Sequence, residues 1–194
     1  MSFVVLFVCT GNICRSPMAE RLFEARTDPS LPLRTSSAGT GGLTGWGMDG
    51  PSALVLRELG GDPDGHSAQR LDRRLIAEAD LILTAEVGHR EAVTRAERRA
   101  HGRAFTLREF GRLGRGLGPL PQPPSVDDLR SRVAQVANLR AGLEPAGRGV
   151  DDIADPYGAP LDFVRDCGVQ SAAAVDAAID ALGLRALQSG RGGQ

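Results

Sequence analysis

Apolar positions along the 194-residue chain gather into short runs separated by longer stretches of helical period. The first run, Phe3-Val4-Val5-Leu6-Phe7-Val8, contains no polar residue, the pattern of a strand covered on both faces. Further strand-like runs stand at 34–38, at Leu81-Ile82-Leu83-Thr84 and at Ala104-Phe105-Thr106-Leu107, while 17–27, 51–60, 73–79, 88–100 and 161–182 carry helical spacing. Strands alternating with helices predict an α/β fold of three layers, a parallel four-stranded sheet with helices on both faces. Residues 111–124 break the pattern. Gly111, Gly114, Gly116 and Gly118, then Pro119, Pro121, Pro123 and Pro124, predict a surface loop. Ser125 then caps a predicted helix from Val126 to about Arg140, whose stripe of Leu129, Val133, Val136 and Leu139 is read as packing on the domain. Residues 1–185 are expected to form one domain and 186–194 a disordered tail.

Composition narrows the function classes. The formal net charge is −1, and all 23 basic residues are arginine, a bias that fits a GC-rich bacterial genome. The stretch 90–115 holds eight arginines against three glutamates; it reads as a solvated helix face rather than a docking patch, and without interleaved aromatics it does not read as a nucleic-acid site. No apolar run reaches membrane-spanning length, and no basic region precedes the N-terminal apolar stretch, so neither a membrane span nor a signal peptide is expected. Three cysteines suit a reducing cytoplasm. His66, His89 and His101 lack zinc-ligand spacing with them, so no metal and no cofactor are expected.

The chemistry concentrates between the first strand and the first helix, in Cys9-Thr10-Gly11-Asn12-Ile13-Cys14-Arg15-Ser16. In that position backbone N–H groups and a helix N-terminus favour an anion, and Arg15 can grip two phosphate oxygens with its planar fork. The same positive field favours a thiolate at Cys9, and Ser16 can donate a hydrogen bond to it. Gly11 and Asn12 tolerate the positive φ of a tight nest, and Pro17 suits the first helical turn. A lone cysteine ending a strand would otherwise read as a small buried hydrophobe.

Val8-Cys9-Thr10-Gly11-Asn12-Ile13-Cys14-Arg15-Ser16-Pro17-Met18-Ala19-Glu20 resembles the phosphate loop of the low-molecular-weight protein tyrosine phosphatases. Asp155-Pro156-Tyr157-Gly158 resembles that family's general-acid loop, and Ser36–Thr40 and Ala79–Leu83 resemble segments between the two. The resemblance implies phosphotyrosine hydrolysis through a phosphocysteine. Cys9 would be the nucleophile, Arg15 and the amides of residues 10–15 the phosphate ligands, Asn12 a support of the loop's shape, and Asp155 the acid. It also implies a phosphotyrosine-bearing protein as partner, bacterial tyrosine kinases among the candidates, and it marks 111–150 as an insertion. Ile13 and Tyr157 would line the substrate pocket. The family's opposite aromatic wall is here Leu43, with Trp46 three residues on as the other candidate. Cys14 is either a redox partner for Cys9 or a packing residue.

Three other readings remain open at this stage. An arginine phosphatase of the same fold would carry Thr where this chain has Ile13. An arsenate reductase would need a downstream cysteine pair, and only Cys167 follows. A phosphate-binding module without turnover would have no use for Cys9, Arg15 and Asp155 together.

Overall fold

The computed structural model describes residues 2–142, 147 and 149–184. The expected disordered tail, 186–194, lies outside the described residues. Four strands, β1 (Phe3–Cys9), β2 (Leu33–Gly39), β3 (Leu81–Thr84) and β4 (Ala104–Thr106), form one sheet in the order β2-β1-β3-β4. Every pairing is parallel, with Phe7 opposite Ser37 on one side and Leu83 on the other. The helices are α1 (Arg15–Arg26), α2 (Gly50–Glu58), α3 (Arg73–Glu78), α4 (Val87–Ala96), α5 (Leu107–Gly114), α6 (Val126–Ala141) and α7 (Leu161–Ala181), with a 3₁₀ turn at Arg98–Arg103.

The wholly apolar β1 splits its side chains between two cores, because successive strand residues point to opposite faces. Phe3, Val5 and Phe7 enter the larger one with Leu22 and Phe23 of α1, Phe110 of α5 and Val175 and Ile179 of α7. Leu6 and Val8 enter the other with Ile76, Ile82 and Val93. Both faces of the strand are dry, which is why its sequence shows no alternation.

The stretch 111–124 differs from its predicted form at its start. Gly111 and Gly114 are not loop residues; they lie inside α5, against α7. A Cβ on Gly111 would stand 2.6 Å from the Cβ of Ala177, and one on Gly114 2.4 Å from that of Ala181. These glycines set a close helix–helix approach, so their spacing mimics a loop while serving packing. A capping box between Thr106 and Glu109 starts α5, which is why Leu107 begins a helix rather than ending β4. Ser125 caps α6 as expected, and Leu129, Val133 and Val136 are buried while Leu139 is 39% exposed. The position facing inward near the end of α6 is Arg140 instead. It donates to Glu109, to the carbonyls of His101 and Ala104, and lies 3.9 Å from the Phe105 ring centroid.

The arginine-rich stretch is only partly a solvated face. Arg90 pairs with buried Glu109, Arg103 donates to the carbonyls of Ile76 and Arg99, and Arg108 and Arg112 reach across to residues 150–152. Among the described residues no helix is long and apolar enough to cross a membrane.

Candidate active site

Residues 9–15 connect the carboxyl end of β1 to α1, where α/β sheets place their ligands. The carbonyls of this loop are engaged one after another by groups around it. Those of Cys9, Thr10, Gly11, Ile13 and Cys14 accept from the N–H groups of Thr40, Gly41, Leu43, Asp49 and Met18 at 2.9–3.1 Å. The Asn12 carbonyl accepts from His66 Nε2 at 2.7 Å, which places a proton on that nitrogen. A peptide N–H points opposite to the carbonyl it is joined to, so six carbonyls drawn outward turn the N–H groups of residues 10–15 toward the concave side. Thr40 and Gly41 can supply their donors because Gly39 and Gly42, on either side, have no side chain. A Cβ on Gly39 would stand 2.3 Å from the Thr10 carbonyl oxygen, and one on Gly42 2.2 Å from that of Gln69. No side chain caps the N-terminus of α1, so its first N–H groups are left to the same concavity.

Asn12 fixes the loop from within. It has φ 58°, and its side chain is fully buried. Its Oδ1 accepts from the Gln69 N–H at 2.8 Å, so Nδ2 is the end that donates to Ser16 Oγ at 2.9 Å and Ser37 Oγ at 2.8 Å. Ser37 in turn donates to Glu20 at 2.6 Å; burial is the main force raising that carboxyl above its ordinary value. With Ser16 Oγ already accepting from Asn12, its own proton is directed to Cys9 Sγ, 3.0 Å away. The Asn12 N–H also points at Cys9 Sγ, at 3.3 Å. The sulfur is thus surrounded by donors whose direction is set through a chain ending at Glu20.

Arg15 is buried, and its guanidinium is held between carboxylates. One terminal nitrogen meets Glu86 and the Ile153 carbonyl, the latter at 3.1 Å; the other meets Asp155 Oδ2 at 3.0 Å and Thr10 Oγ1 at 3.4 Å. Its buried Nε has no hydrogen-bond partner among the described residues. His89 Nε2 lies 2.9 Å from Thr10 Oγ1, and desolvation holds this histidine below its ordinary pKa. Cys14 is buried beneath the loop; burial pushes its thiol up to about 12, against the opposing effect of a Ser52 hydrogen bond. All three cysteines are free.

A cavity of about 200 Å³ opens over this loop, lined by Cys9–Gly11, Ile13–Arg15, Gly41, Leu43, Asp155 and Tyr157. The structure therefore brings together Cys9, Thr10, Gly11, Ile13, Cys14, Arg15, Leu43, Asp155 and Tyr157. Asn12 and Ser16 lie beneath the floor. Trp46 does not reach the lining: the turn in which its N–H donates to the Leu43 carbonyl leaves it 59% exposed outside, and Leu43 forms the wall. No group of His, Cys, Asp or Glu among the described residues is arranged to hold a metal. The sequence does not mark Glu86, and it marks His66 and His89 only as histidines without zinc-ligand spacing. Glu86 could have been marked, since it stands two residues beyond the carboxyl end of β3, at the same rim of the sheet as Cys9.

A sequence profile described as low molecular weight phosphotyrosine protein phosphatase matches residues 4–128. The low molecular weight protein-tyrosine-phosphatase of Streptomyces coelicolor is 42% identical over 172 residues, 86% of this chain and 85% of that one. The Escherichia coli K12 enzyme named Wzb is 47% identical over 87 residues, which span 45% of this chain and only 57% of the relative. Among solved structures, the YwlE arginine phosphatase of Geobacillus stearothermophilus superposes with a TM-score of 0.68 at 26% identity, covering 93% of this chain and 92% of that one.

Proposed function

Because the chain belongs to the low molecular weight phosphotyrosine protein phosphatase family, we propose that it hydrolyses phosphotyrosine in a cytoplasmic protein substrate through a phosphocysteine. The observation that carries this is the placing of Cys9 Sγ. It accepts from Ser16 and from the Asn12 amide at the floor of a cavity whose wall holds both Arg15 and Asp155. In the first step Cys9 Sγ attacks phosphorus, the bond to the aryl oxygen breaks, and the Asp155 carboxyl gives its proton to the departing phenolate. Arg15 and the inward N–H groups hold the equatorial oxygens, with Arg15 Nε a further donor for them. In the second step water attacks phosphorus and yields a proton to Asp155. The S–P bond breaks and the thiolate returns to its Ser16 and Asn12 donors.

Tyrosine is favoured over arginine as the phosphorylated residue by the side chains around the entrance. Ile13 and Leu43 offer alkyl contact to a phenyl ring and no acceptor to a guanidinium. A bacterial tyrosine kinase fits the same reading as substrate, since named relatives such as Wzb are tyrosine phosphatases of bacteria. Cys9→Ser tests the assignment. The variant is expected to bind inorganic phosphate as the parent does and to lose turnover of para-nitrophenyl phosphate. Hydrolysis at more than about a hundredth of the parent rate, the lower end of what a lost nucleophile removes, would reject Cys9 as nucleophile.

A further inference from the structure

Asp155 stands on a loop, with a half-exposed side chain, yet proton donation needs its carboxyl held to a fraction of an ångström over the leaving group. The Tyr157 N–H meets Asp155 Oδ1 at 3.3 Å and Arg15 meets Oδ2 at 3.0 Å, and the loop is further tied down by the segment just before it. Arg112 of α5 makes a two-pronged contact with Asp151, Nε to Oδ1 at 3.2 Å and a terminal nitrogen to Oδ2 at 2.8 Å. Asp151 is buried, with 8% of its surface exposed. One turn earlier on α5, Arg108 donates to the carbonyls on either side of it, Val150 at 3.2 Å and Asp152 at 3.1 Å, and its other nitrogen reaches Gln170 of α7. Asp152 accepts from the Val87 N–H at 2.8 Å, and the Ile153 N–H donates to the Ala85 carbonyl at 2.8 Å. The platform beneath is stiff, because Gly111 and Gly114 press α5 onto α7 at closest approach.

We propose that Arg112 and Arg108 are positioning residues for the acid step, acting through Asp151 and the backbone of 150–153 to fix Asp155 over Cys9. This rests on the reading of Asp155 as proton donor. Without Arg112 the Asp151 carboxylate is left buried and unpaired, which drives it toward water and draws the segment off α5. Asp155, four residues on, shifts with it. Arg15 loses at most the Ile153 carbonyl and keeps Glu86, and the loop amides keep their shape, so the anion site is largely spared. A lost ion pair that only stabilised the fold would lower all rates together. A displaced acid selects against substrates whose leaving group needs the proton.

The test is kcat/KM across a series of aryl phosphates from 4-nitrophenyl to phenyl for the parent, Arg112→Met, Arg112→Lys, Asp151→Asn, the Met/Asn double variant and Asp155→Asn. Inhibition by inorganic phosphate is measured alongside. For Arg112→Met a loss of about tenfold on phenyl phosphate and less than about twofold on 4-nitrophenyl phosphate is expected, short of the roughly hundredfold at the low end of a general-acid contribution because the acid is displaced and not removed. The phosphate inhibition constant should stay within about twofold. Asp151→Asn, nearly isosteric, should show the same tilt. The double variant should be no worse than either single one, because both remove one contact, and Arg112→Lys should recover part of the loss. A uniform fall across the series, or weakened phosphate binding by the same factor, overturns the proposal while a tilt in Asp155→Asn leaves the acid assignment standing. If Asp155→Asn itself shows no tilt, that assignment fails and this one with it.

Discussion

Replacing Asn12 separates two reasons for having it, its hydrogen bonds and its backbone. Its buried side chain makes three hydrogen bonds, to Ser16, Ser37 and the Gln69 N–H, at a φ of 58°. Asn12→Gly keeps that φ without steric cost and removes the three bonds. At about 1 kcal/mol each, with a further 1–3 kcal/mol for the Gln69 N–H left without its acceptor, the loss should be about 4–6 kcal/mol. Asn12→Ala removes the same bonds and adds about 1–2 kcal/mol of left-handed strain. Against that stands about 0.5–1 kcal/mol that glycine loses in backbone entropy. Alanine should therefore be the less stable of the two, by about 1 kcal/mol or less. Both variants free the Ser16 hydroxyl to rotate away from Cys9. A hydrogen bond to a charged sulfur is worth about 1.5–3 kcal/mol, so kcat should fall by about tenfold to a hundredfold. Urea unfolding gives the stabilities and steady-state hydrolysis of 4-nitrophenyl phosphate the rates. Variants within about 1 kcal/mol of the parent would refute the bonding account, which sums contributions of that size. A glycine variant less stable than the alanine one would refute the backbone account.

Ile13→Thr should shift the kcat/KM ratio toward phosphoarginine peptides by about tenfold or more, since an unpaired polar group in a dry pocket costs about 1–3 kcal/mol; a parent that already prefers phosphoarginine would move the proposed substrate to that class. Peroxide inactivation should be reversed by dithiothreitol if the Cys14 thiol condenses with the Cys9 sulfenic acid, releasing water, and Cys14→Ser should lose that recovery. With the Cys14 thiol at about 12 the attacking thiolate grows about tenfold per pH unit between pH 7 and 9, so recovery at the higher pH should be the more complete, and equal recovery in parent and variant would leave Cys14 a packing residue.

What the sequence could reveal was set by how local the cause is. The phosphate loop is a local structure: eight consecutive residues carry the thiol, the guanidinium, the positive-φ position and the helix start, and each is needed within a few residues of the next. β1 was legible for the same reason, since a strand covered on both faces is marked by its own residues. Gly111 and Gly114 misled because their cause lies 66 and 67 residues away, in Ala177 and Ala181 of α7. A glycine that permits a turn and a glycine that permits a close helix approach look alike in one sequence. For the pocket wall, family spacing points to Leu43 and aromatic residue type to Trp46. The choice between them is made by a turn whose hydrogen bonds run to Gly11 and Ala68.

The two halves of the site are therefore held by different means, and their responses to damage should differ accordingly. In the phosphate loop the chain from Cys9 to Glu20 runs through the loop, α1 and Ser37 of β2, while the outward carbonyls rest on donors from residues 40–49 and His66. The acid loop has two supports of its own among the described residues, the Tyr157 N–H donating to Asp155 Oδ1 at 3.3 Å and the Ala159 N–H to the Pro156 carbonyl at 3.1 Å. It borrows Arg108 and Arg112 from α5, Ala85 and Val87 from the end of β3 and the start of α4, and Arg15 from the phosphate loop itself. Arg15 is shared by both halves, through the Ile153 carbonyl and Asp155 on one side and Thr10 on the other. On the proposed mechanism a substrate phosphate drawn to Arg15 would compete with the Asp155 carboxylate for its terminal nitrogen. That competition would favour release of Asp155 toward the leaving group as the anion arrives. Phosphate binding and proton delivery would then meet at one guanidinium, with the proposed positioning role of the α5 arginines limiting how far the acid shifts.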